Sequence, residues 1–169
     1  MSWGRKVIRG AVYDLSHLDS FLVDVTPSMP GAPTYGMRVT FGCHTFTRDL
    51  TAADTPDYRF ADGSHVRCFC LDRYGNSLRL PHIIRGAVTG RVYFSDQGNY
   101  LLTSGLDGTS DLYAIYFDMF RAKARGQHVV MNVVSAYPKP NPARNFPTIT
   151  LATLVSNVAQ NKPVKRPKK

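Results

Sequence analysis

Residues 111–137 read DLYAIYFDMFRAKARGQHVVMNVVSAY. Two apolar runs, residues 112 to 120 and 128 to 137, flank the basic connection RAKARGQ. Their Val, Ile, Tyr and Phe content favours strand over helix. A connection this short joins antiparallel neighbours, because a parallel return needs a long crossover. The stretch therefore predicts two adjacent antiparallel strands at the heart of a sheet.

Working outward, RVYFSD and NYLLTS flank Gln97-Gly98 as a further hairpin. Upstream, NSLRLPHIIRGAVTG changes period. Leu80, Ile83, Ile84 and Val88 fall at helical spacing, Pro81 suits a first turn and Gly90 a stop. MRVTFGCHTFTRDL and HVRCFCLD read as strands, and AVYDLSHLDSFLVDVT as two short ones. TITLATLVSNVAQ fits either a strand or a short helix. The order predicts an α+β fold, one domain over residues 1–160 with a central antiparallel sheet and one or two helices. Residues 161–169 form a basic tail expected to be disordered.

The chain has 169 residues and a formal net charge of +9. The tail NKPVKRPKK carries five of the basic residues, so the body stays basic without it. Such a surplus favours RNA or another nucleic acid as partner. No apolar run reaches membrane-spanning length, and MSWGRKVIRG lacks the apolar core of a secretory signal, so no membrane partner is expected. The odd count of three cysteines is no disulfide framework and suits a reducing cytoplasm.

The chemistry-bearing residues crowd into SHVRCFCLDRYGNSLRLPHIIR, residues 64–85. Strand alternation puts Val39, Phe41 and Cys43 on one face and Arg38, Thr40 and His44 on the other. It likewise sets Val66, Cys68 and Cys70 opposite His65 and Arg67. With the apolar faces inward, all three cysteines face the core and the histidines lie opposite. Phe46 and Phe69 fall on the His/Arg side, which marks that side as a cleft floor. Zinc ligands would be split between two faces, with no CxxC or HxxxH pair, so no metal and no cofactor is expected. On the helix, His82 and Arg85 are three apart on one face with Arg79 a turn earlier. Metal-free RNA cleavage needs a proton acceptor, a proton donor and cations for the phosphate, all of which His, Tyr and Arg supply.

The order RLPHII, then several strands, then VVSAYP resembles the barnase, EndoU, colicin and RelE-like nucleases, particularly prophage and toxin members, over about residues 67–138. The resemblance implies a bacterial, toxin-like ribonuclease that works without metal, with a cognate inhibitor protein among its partners. It implies Arg67 or Arg73 as phosphate binders, His82 as the helix-borne acid or base, and Ser135 with Tyr137 on the last strand. The residue reading adds His44 as a second proton-transfer group and Arg79 and Arg85 as further phosphate contacts. Two other classes stay open: a non-catalytic nucleic-acid-binding module, marked by aromatics on an open sheet face, and a phage or bacterial protein-interaction subunit, marked by a large apolar patch. Two of His44, His65, His82 and Ser135 in one pocket with Arg67 or Arg85 would favour an enzyme.

Overall fold

The computed structural model describes residues 2–167 except 64, 97, 107, 109, 125, 143 and 144. Its strands are β1 (Arg5–Ile8), β2 (Ala11–Asp14), β3 (Phe21–Val25), β4 (Tyr35–His44), β5 (Thr47–Asp49), β6 (Arg59–Asp62) and β7 (His65–Phe69). Helices α1 (Leu71–Ser77) and α2 (Leu80–Gly86) follow, then β8 (Arg91–Phe94), β9 (Tyr100–Gly105), β10 (Leu112–Arg121), β11 (Val129–Lys139), β12 (Thr148–Thr150) and α3 (Leu151–Ala159). Together they make one α+β domain.

Among the described residues, seven strands form the main sheet in the order β12-β8-β9-β10-β11-β4-β3. β10 and β11 are antiparallel neighbours, as their short connection requires, with Tyr116 opposite Ser135 and Phe117 opposite Val133. β8 and β9 pair antiparallel as expected, although Gln97 of their turn lies outside the described residues. The sheet is mostly antiparallel, with one parallel seam that the sequence reading did not specify. β11 also runs parallel to β4, with Val129 beside Met37 and Val133 beside Phe41. The chain leaves the end of β4 and makes a long excursion through two helices and six strands, and such a crossover permits a parallel return. A bulge between Val133 and Ser135 shifts the register, so that Ser135 pairs with His44. β11 is accordingly an interior strand, and β12 and α3 follow it.

Burial alternates strictly along β4: Tyr35, Met37, Val39, Phe41 and Cys43 enter the core. From β11, Val129, Met131, Val133 and Ala136 join them. α3 closes this face with Leu151, Ala152, Leu154 and Val155. Its start is fixed by Thr150, whose hydroxyl accepts from the Thr153 amide at 3.1 Å. Residues 148–159 thus use both options left open by the sequence, a three-residue strand and then a helix.

A second sheet, β5-β7-β6, lies beside the first. It packs through Phe60 and Phe69 onto Phe46, which also takes Trp3 edge-on at 5.1 Å. Here the expected face of β7 is reversed. Val66 is 54% exposed, while Arg67 is 8% exposed and follows Phe69 inward. β7 is the middle strand of its sheet, so the face sharing Phe69 turns to the body. Cys43 lies in the main core, but Cys68 is buried on the outer face of the second sheet, beside Arg48 and Asp54. Cys70 is half-buried, so the three thiols do not share a surface. In the tail, Val164 packs against the core and Arg166 donates to the carbonyl of Ser95 at 3.0 Å. No helix among the described residues is long and apolar enough to cross a membrane.

Candidate functional site

The end of β4 and the start of β5 make a tight reversal. Thr45 closes on the Gly42 carbonyl through both its amide and its hydroxyl. The buried Thr47 hydroxyl donates to the Cys43 carbonyl at 2.8 Å. This turn fixes His44 beside the three-residue strand β5. β7 then brings Arg67 opposite Asp49 on one side and Phe60 on the other. Arg67 Nε donates to Thr47 Oγ1 at 2.8 Å, and Nη1 donates to Asp49 Oδ1 at 2.7 Å. Asp62, paired with His65 across β6 and β7, accepts from Cys43 Sγ at 2.9 Å.

His44, His65, Arg67, Asp49 and Asp62 line one cleft of about 400 Å³. Burial holds the His44 imidazole below its ordinary pKa, and the positive charge of Arg67 acts in the same direction. His44 is therefore neutral at pH 7 and able to accept a proton. Cys43 goes the other way. Burial and the Asp62 carboxylate push its thiol up to about 11, so it is an unreactive core group. Among the described residues no group of three His, Cys, Asp or Glu is arranged to hold a metal ion.

Arg73 reaches the same turn from α1. Its Nη1 donates to the carbonyls of His44 and Thr47 at 3.0 and 2.7 Å. Its guanidinium sits 5.0 Å from the Tyr137 ring centroid. Arg73 thus clamps the turn that carries His44. Tyr137 stacks at 5.7 Å on Tyr116, which is only 5% exposed. Ser135 lies in register between Tyr116 and His44.

The helix residues are elsewhere. His82 and Arg85 are exposed on α2 and line a separate cleft of about 570 Å³ with His17, Asp19 and Phe21. Arg85 lies 3.9 Å over the Phe21 ring. In that cleft His17 Nε2 is 2.8 Å from Ser77 Oγ. Ser77 is fully buried and gives its proton to the Tyr74 carbonyl, so it accepts from His17 and is no nucleophile. Arg79 is half-buried just before α2. The sequence grouped His82, Arg79 and Arg85 with Arg67. The fold separates His82 and Arg85 from Arg67, because α1 and α2 carry the chain away from β7.

A family model described as the YjaZ family matches residues 5–159. The chain belongs to the YjaZ family. Among curated proteins and among solved structures no match was found. The match to this YjaZ-family chain spans both β4 and β7, so it includes every residue of the His44 cleft. Sequence reasoning missed Thr47 and Asp49 as partners of Arg67, and Asp62 as the partner of Cys43. The signal that could have found the first two is the alternation of TRD after the His44 turn, which aims Thr47 and Asp49 to one side.

Proposed function

We propose that the His44 cleft cleaves RNA phosphodiesters without a metal. The observation that carries this reading is the meeting of two histidines with a nine-tenths buried arginine in one cleft. His44, kept neutral by burial, takes the proton of a ribose 2′-hydroxyl. The 2′-oxygen attacks phosphorus, and the 5′-oxygen leaves with a proton supplied by His65. The products are a 2′,3′-cyclic phosphate and a 5′-hydroxyl end. Arg67 faces the charge that builds on the phosphoryl oxygens. Arg73 holds the His44 turn rather than touching substrate. The toxin-type nuclease resemblance over residues 67–138 implies the same class of chemistry, but His44 and His65 lie outside that span and its helix histidine, His82, lines another cleft.

The binding-module reading has less support. Its aromatics belong on an open sheet face, whereas Tyr116 is buried and Tyr137 is covered by Tyr116 and Arg73.

The test is cleavage of mixed RNA by chelator-treated protein. His44→Ala is expected to lower the rate by about 100- to 10,000-fold, the range for a general acid or base. His82→Ala is expected to cut at nearly the wild-type rate. RNA that is bound but never cut would hand the cleft to the binding-module reading, and neither binding nor cutting would leave an interaction subunit.

A further inference from the structure

Arg67 and Asp49 are unequal partners. The Arg67 side chain is 10% exposed and the Asp49 side chain 91% exposed. The guanidinium is anchored from beneath, since its Nε donates to Thr47 Oγ1 and that hydroxyl is tied to the Cys43 carbonyl. Asp49 contributes a single 2.7 Å contact from β5, a short edge strand of the second sheet. A carboxylate so exposed keeps its hydration when it swings away, and ion pairs with an exposed partner are weak. The cation, by contrast, stays in place when the pair opens.

We propose that Asp49 occupies the phosphate position of the cleft and is displaced by the phosphate of an incoming ligand. Phosphate offers more negative charge and three acceptor oxygens to the same donors. With Asp49 docked, the cleft sets Arg67 against two carboxylates, Asp49 and Asp62, which repels stray anions. Once Asp49 leaves, Arg67 stands beside His44 and His65 with Asp62 still held by Cys43. The Asp49 carboxylate is a built-in competitor. It favours ligands that bring a phosphate together with other contacts, such as a polynucleotide, over isolated small anions. This inference rests on the cleft being the phosphate site proposed above.

The experiment is a titration of inorganic phosphate followed by the NMR signal of the His44 imidazole, using wild type, Asp49→Asn and Thr47→Val, with RNA cleavage assayed in parallel. Asp49→Asn keeps the shape of the exposed side chain, and thermal unfolding checks its fold. Asp49→Asn is expected to bind phosphate about two- to fivefold tighter, the range for removing one exposed ion-pair partner. Thr47→Val is expected to weaken binding, since it frees the guanidinium. Phosphate affinity that is unchanged, weaker or undetectable in folded Asp49→Asn overturns the exchange. If affinity rises as expected and RNA is never cut, the exchange stands and the cleavage reading falls. If RNA is cut while Asp49→Asn leaves phosphate affinity unchanged, cleavage stands and the exchange falls.

Discussion

At the scale of single residues, burial decides what His44 and His17 can do. Both are held below the ordinary histidine value of 6.5 with burial as the first cause. A histidine whose folded pKa is depressed binds fewer protons folded than unfolded, so stability falls as pH drops through the ordinary value. Urea midpoints measured from neutral pH down to about pH 5 should fall, in a range still above the carboxylates. His44→Gln should flatten the decline, and an equal decline in that variant would show that His44 is not a source of it. The alternation of Val39, Phe41 and Cys43 was legible in the sequence because β4 is buried on one face with strict period two. The inward turn of Arg67 was not. A lone charged residue on a strand reads as solvent-facing, and its partners Thr47 and Asp49 come from a three-residue strand too short to show a pattern.

At the scale of elements, the parallel seam between β4 and β11 is tied at its open end by Gly36 and His128. The Gly36 amide donates to His128 Nδ1, and the His128 amide donates to the Gly36 carbonyl, each at 2.9 Å. A Cβ on Gly36 would lie 2.9 Å from the Gly126 carbonyl oxygen. Gly36→Ala should therefore cost about 1–3 kcal/mol, as forced overpacking does, and an unchanged urea midpoint would show that the loop yields freely. β10 and β11 were legible because both runs are long and apolar. Their parallel neighbour was not, since nothing local in MRVTFGCH specifies a partner some ninety residues away. Helix α1 escaped notice because LDRYGNS carries Gly and Asn, poor helix formers. Packing holds it instead, with Tyr74 against Tyr13 and Phe69 and with Ser77 buried.

At the scale of the whole molecule, the charge of +9 is divided between a body and a tail, and the two should be separable. A chain ending at Gln160 lacks five cations, among them Arg166 on the Ser95 carbonyl, and the packing of Val164 onto the core. It should bind RNA more weakly, and the dependence of binding on salt should flatten by about one unit of log–log slope for each phosphate that the tail no longer neutralises. If truncation alone abolishes binding, the cleft contributes nothing to affinity. The order of strands in the sheet also bears on the birth of the molecule. His44 gains its strand neighbour only when Val129–Ser135 has been synthesised, because β4 lies parallel to a strand from late in the chain. Pairings this distant in sequence close slowly, since the loop entropy must be met before the contacts form. A nascent chain carries His44 long before it can set that residue beside Ser135. The parallel seam beside His44 therefore closes only after most of the chain has emerged from the ribosome.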